Sequence, residues 1–189
     1  MHHRYPGDRP EFFMEGIRVL MLIDRGVGNT NKGSKRWINK LISTNQEDFK
    51  RNLKLLIEQQ VYINNPDVRI YGCINSRNLD KAIRYFQHKQ LDLSTDDMKL
   101  FFYKDIRTSF VSALMKPENR DSKLYLLDLD VKDREVAHKF SHKHNIEVIH
   151  YYESPNGWHY IVKPFDVRLV AEIPECTVVK DGLMIWNVL

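Results

Sequence analysis

Residues 124–130 read Leu-Tyr-Leu-Leu-Asp-Leu-Asp, an apolar run that closes on two carboxylates one residue apart. As a strand, this run places side chains two apart on one face, so Asp128 and Asp130 project together from its C-terminal end. Neighbouring carboxylates repel unless positive charge lies between them. Hard oxygen ligands suit Mg²⁺ or Mn²⁺, and a phosphate-bearing substrate can complete the coordination shell. Phosphate chemistry is therefore the first expectation. The structural alternative is a strand running into an acidic turn that caps the next helix.

The rest of the chain bounds this expectation. At 189 residues, 42% hydrophobic and 29% charged, it is expected to form a single compact domain over 1–189 with a core of its own. No apolar run has the length of a membrane span, and the first residues lack the pattern of a secretory signal, so the expected location is cytoplasmic and no membrane partner is expected. Cys73 and Cys176 stand in neither a metal-ligand nor a redox spacing; a disulfide between them is left open. The net charge of +4 is concentrated where Lys32, Lys35, Arg36, Lys40, Lys50, Arg51 and Lys54 surround Trp37. Basic residues interleaved with an aromatic suit a nucleic-acid backbone and an unstacked base, although such residues also make ordinary solvated surfaces.

Patterning divides the chain at the polar break 116–121. The N-terminal module, 1–120, reads as helix-rich: a helix over 11–24 from apolar residues three and four apart, one opening at Thr44 or Asn45, one over 79–90, and one from Asp96 to about Met115. The run 18–23 also fits a buried strand. The Gly- and Asn-rich stretch 26–34 matches no phosphate-loop fingerprint and reads as a basic loop. Residues 68–74 read as a strand feeding the polar turn 75–78, where Asn75, Ser76 and Arg77 could meet a phosphate or base. A helix cap is the preferred role for Ser76.

The C-terminal module, 121–189, reads as strand, helix, strand, strand, short helix, strand, strand, with the last two joined by a tight Asp181-Gly182 hairpin. The expected fold class is α+β, with an RRM-like or ferredoxin-like antiparallel sheet in this half. His138, His142 and His144 read as surface residues of its helix. Tyr151 and Tyr152 read as packing residues, with a nickase-like nucleophile as the alternative.

His159 follows the turn glycine Gly157 on a strand expected beside the acidic one, with Lys163 further along; a histidine there can donate to a phosphate or ligate a metal. Asp181 is the candidate third acid for a two-metal site, though turn geometry alone also explains it. In order, Asp128-Leu129-Asp130, Gly157-Trp158-His159 and Asp181 resemble the three motifs of the archaeo-eukaryotic primase superfamily, whose second motif often has Ser where Gly157 stands. The resemblance covers about the last 70 residues of the chain and, in size, looks like virus- or plasmid-encoded members. It implies that Asp128, Asp130 and Asp181 hold catalytic Mg²⁺ or Mn²⁺ and that His159 contacts nucleotide phosphates. Lys163 and Arg77 are further candidates for nucleotide, and Lys32, Lys35, Arg36, Trp37 and Lys40 for nucleic acid.

The expected function is a metal-dependent nucleotidyltransferase of primase-polymerase type, using nucleoside triphosphates on a single-stranded template, with replication proteins as partners. The alternatives are a non-catalytic nucleic-acid- or nucleotide-binding protein of primase-like fold and a metal-dependent nuclease.

Overall fold

Residues 19–23 are all buried, Leu20 and Leu22 against one set of neighbours and Val19, Met21 and Ile23 against another. A segment covered on both faces reads as a continuous apolar run, and it forms β1 (Arg18–Asp24) after a single 3-10 turn, Glu11–Met14. The helix expected over 11–24 is thus corrected to a turn and a central strand. The computed structural model describes residues 11–26, 36–91, 93–100, 106–133, 135–154, 156–173 and 175–188. Lys32, Lys35, most of the Gly- and Asn-rich loop, Phe101 and Phe102 lie outside them, as does the side chain of Arg36.

β2 (Arg36–Ser43) is followed by α1 (Gln46–Ile63), which Asn45 caps by accepting from the Asp48 backbone N–H at 2.9 Å and which Asn64 ends in the left-handed conformation. Next come β3 (Val68–Cys73) and α2 (Leu79–Leu91), whose cap is Asn78 rather than Ser76: its side chain accepts from Lys81 N–H at 2.9 Å. The span expected as one helix over 96–115 holds α3 (Thr95–Leu100) and α4 (Ile106–Leu114). Then β4 (Tyr125–Leu129), α5 (Glu135–Lys143), β5 (Val148–Glu153), β6 (Trp158–Val162), a 3-10 segment Val167–Glu172, β7 (Cys176–Val179) and β8 (Leu183–Val188) complete the chain.

The fold is α+β, with an antiparallel sheet in the C-terminal half and the helices concentrated in the N-terminal half, as the sequence predicts. The described residues form two four-stranded sheets, ordered β2-β1-β3-β8 and β5-β6-β4-β7. One expected pairing fails. β7 hydrogen-bonds to β4, whereas β8 leaves for the other sheet and pairs with β3, so Asp181-Gly182 is a crossover between sheets and not a hairpin.

One face of the first sheet (Leu20, Leu22, Ile70, Met184) packs with Phe49 and Leu56 of α1 and with Leu126 and Ile161 of the second sheet. Its other face (Val19, Met21, Cys73) is covered by Ala82 of α2 and Val111 and Leu114 of α4. In the second sheet, Leu127, Leu129, Tyr160 and Val162 face away from the first, against Phe140 of α5 and Val170 and Ile173. This alternation leaves Leu126, Asp128 and Asp130 on the side turned toward the first sheet. No helix among the described residues is long and apolar enough to cross a membrane.

Candidate active site between the two sheets

A cleft of about 510 Å³ lies between the sheets, with Asp128, Asp130 and His159 on the second-sheet wall and Asp181 at the crossover. Trp37, Arg25 and Arg69 stand on the first-sheet wall. The shared face expected for the two acids is present: both line the cleft while Leu127 and Leu129 are buried behind them.

β4 and β6 bring Asp128 and His159 directly opposite one another in register. His159 Nε2 lies 2.9 Å from Asp128 Oδ1, with the imidazole 9% and the carboxylate 41% exposed. The other ring nitrogen, Nδ1, is 2.7 Å from the Tyr152 hydroxyl, which accepts the Ile185 backbone N–H at 3.1 Å. A carboxylate only accepts, so Nε2 carries a proton toward Asp128; in the neutral ring Nδ1 then accepts the Tyr152 proton. The hydrogen bond from His159 holds the Asp128 carboxyl below the usual carboxylate range; burial opposes this, while the charges of His159 and Arg25 reinforce it.

Gly157 makes this approach of β6 to β4 possible. A Cβ there would sit 2.0 Å from the Leu129 carbonyl oxygen and 2.9 Å from Val131 N, so no residue larger than glycine has room at this position. Asp130, exposed just beyond β4, is anchored through its backbone N–H to the Glu175 carbonyl at 3.1 Å.

Asp181 has a different setting. Arg77, 0% exposed, donates from Nη1 to Oδ2 at 2.9 Å and from Nη2 to Oδ1 at 3.0 Å, and Asn75 Nδ2 donates to Oδ1 at 3.1 Å. Both oxygens of Asp181 are therefore engaged by protein donors. Asn75 also accepts from Leu124 N–H at 2.7 Å and donates to the Leu124 carbonyl at 3.2 Å, fixing the start of β4. Arg77 and Asn75, read from sequence as possible ligand contacts, instead hold the crossover and the acidic strand in place.

The remaining candidates separate. Lys163 is exposed, sits 3.8 Å from Glu147, and stands at the far end of β6, about 13 Å along the strand from His159 at ordinary strand rise. Lys40 lies outside the cleft with its ammonium 4.5 Å from the centre of the Trp37 ring. Cys73 and Cys176 are both free thiols, and burial with the nearby Asp128 charge pushes Cys176 up to about 11, leaving it protonated near neutral pH. His138 packs edge-on against Tyr151 and Tyr160, and His144 pairs with Glu172, which leaves neither directed at the cleft.

Two side chains on the cleft are not among the sequence candidates, Arg25 and Arg69, and Tyr152, read from sequence as packing with a nucleophile as the alternative, supports His159 through its hydroxyl. The alternation Val68-Arg69-Ile70-Tyr71 carries a signal for Arg69, since an arginine on the face opposite two core residues needs an anion or solvent.

No family model matches the chain, and comparison with curated proteins and with solved structures finds no match.

Proposed function

We propose that this protein is a metal-dependent nucleotidyltransferase of primase-polymerase type, joining nucleotides on a single-stranded nucleic-acid template. The observation that carries the reading is the meeting of Asp128, Asp130, His159 and Asp181 on one cleft, faced by two arginines and a tryptophan. A volume near 510 Å³ falls within the usual range for small-molecule sites.

The donor set fits a hard cation in one limited way. Among the described residues no group of three or more His, Cys, Asp and Glu side chains is gathered to cage a metal. Asp128 and Asp130 are two carboxylates that face the cleft, the number with which Mg²⁺ is commonly held while waters and substrate phosphates supply the rest. They would hold the cation; when bound, it would neutralise phosphate charge and lower the pKa of an attacking hydroxyl. His159 donates to Asp128 and so orients that carboxylate, as partners behind a metal ligand do. Asp181, engaged by Arg77 and Asn75, would act through the position of the crossover.

That engagement favours a second reading, a nucleotide- or nucleic-acid-binding protein of related fold without catalysis. The two are separated by incorporation of a labelled nucleotide on single-stranded templates with Mg²⁺ or Mn²⁺, comparing the native chain with Asp128→Asn/Asp130→Asn. Product from the native chain and none from the double variant is expected. Equal product from both would refute the site, binding without product would establish the second reading, and strand cleavage without nucleotides would make the protein a nuclease.

A further inference from the structure

The first-sheet wall of the cleft has an order of its own. In register, Trp37 of β2 stands opposite Ile23 of β1, and Ile23 stands opposite Arg69 of β3. Residues directly opposite across antiparallel strands share a face, here the Val19, Met21 and Ile23 face that α2 and α4 cover farther along β1, and Trp37, Ile23 and Arg69 all line the cleft. An aromatic, an aliphatic and a cation thus form one row, with Trp37 and Arg69 two strand spacings, about 10 Å, apart at their backbones. Arg25, just beyond β1, adds a second cation on the same wall, within electrostatic reach of Asp128.

A backbone irregularity produces the row. Leu22 pairs with Asn39 and Ile23 with Trp37, so Ile38 is an extra residue on β2. Regular pairing would set Ile38 opposite Ile23 and turn Trp37 to the other face. A bulge re-aims the side chains that follow it, and this one brings Trp37, 46% exposed, to the cleft. At the other end of the row, Arg69 Nε is buried with no hydrogen-bond partner, and its guanidinium makes no hydrogen bond or ion pair to any described residue. Buried charged donors are ordinarily satisfied, and an unsatisfied one lining a cavity points to a ligand that satisfies it.

We infer that this row binds one nucleotide unit, with the base stacked on Trp37 and the phosphates held by Arg69 and Arg25, opposite the Asp128 and Asp130 carboxylates. The assignment rests on the phosphate-chemistry reading of those acids, and it adds that phosphate is held by the first-sheet wall without a divalent cation. The unit belongs either to a free nucleoside triphosphate or to a single strand, since both present a base and a phosphate at this scale.

The test is equilibrium binding in EDTA of ATP, of inorganic tripolyphosphate and of a short oligothymidylate to the native chain, Trp37→Ala, Arg69→Gln and Arg69→Lys. Arg69→Gln is expected to weaken ATP and tripolyphosphate about tenfold or more, and Arg69→Lys to recover part of that loss. Trp37→Ala is expected to weaken ATP about tenfold, the low-to-middle range for loss of one base–aromatic stack, and to leave tripolyphosphate unchanged. The same pattern with oligothymidylate in place of ATP would assign the unit to a strand. ATP and oligothymidylate binding unaltered in Trp37→Ala and Arg69→Gln would overturn the inference. Synthesis by the native chain with unaltered binding in these variants would discard the row alone; altered binding with no synthesis would keep the row and discard the reaction.

Discussion

Asp128 is held from behind through two side chains on two other strands. The Tyr152 hydroxyl joins the Ile185 backbone to His159, and His159 joins that to the carboxylate, so the acid inherits a position set by β5, β6 and β8 together. Because the folded-state pKa of Asp128 lies below its unfolded value, the unfolded chain binds more protons here as acid is added. The stabilisation is complete above the ordinary carboxylate range and is lost as pH falls through the depressed value. Asp128→Asn removes this titration. Its stability, followed by urea denaturation across the acid range, should decline less steeply than that of the native chain, and matching slopes would show that the His159 hydrogen bond does not lower this pKa. The alternation that places Asp128 and Asp130 on one face is legible in residues 124–130, since it needs only the period of a strand. Tyr152 is not legible in the same way: a tyrosine beside another tyrosine on a strand looks like packing until the register brings its hydroxyl to His159.

Local chemistry misleads most where an element changes partner. Asp181-Gly182 has the composition of a hairpin turn, yet the choice between folding back on β7 and crossing to β3 is made by contacts distant in sequence: Asn75 and Arg77 on Asp181, Arg120 Nη1 donating to the Lys180 carbonyl at 2.6 Å, and Ile74 N–H donating to Gly182 O at 3.2 Å. A Cβ at Gly182 would lie 2.7 Å from the Leu126 Cβ, so the crossover passes close over the acidic strand. Arg77 is fully buried and Asp181 only 15% exposed, so removing either partner alone leaves a charge without compensation. Arg77→Met and Asp181→Asn should each cost about 3–5 kcal/mol in chemical denaturation, and the double variant clearly less than their sum. Additive losses would mean that the two residues act separately and that the pair is not what holds the crossover. The helix misread over 11–24 has the complementary cause: β1 is covered on both faces, which erases the period of two by which a strand is recognised.

At the scale of the molecule, the cleft is bordered by two sheets that the crossover from β7 to β8 ties together. The net charge of +4 predicts a polyanionic partner without locating it, and the basic cluster around Trp37 indicates a region but not a surface. The structure turns Trp37 to the cleft, leaves Lys40 beside it outside the cleft, and recruits Arg25 and Arg69, which composition does not distinguish from the other basic residues. Binding confined to this wall engages few phosphates, whereas binding to a diffuse basic surface engages many, and salt dependence separates the two. With Arg25 and Arg69 each meeting one phosphate, the slope of log K against log salt for a single strand should be about −1.4, at roughly 0.7 per contact. Replacing Arg69 by Gln should make the slope shallower by about 0.7. A much steeper slope, unmoved by that replacement, would place the strand on the outer surface and leave the cleft to a free nucleotide.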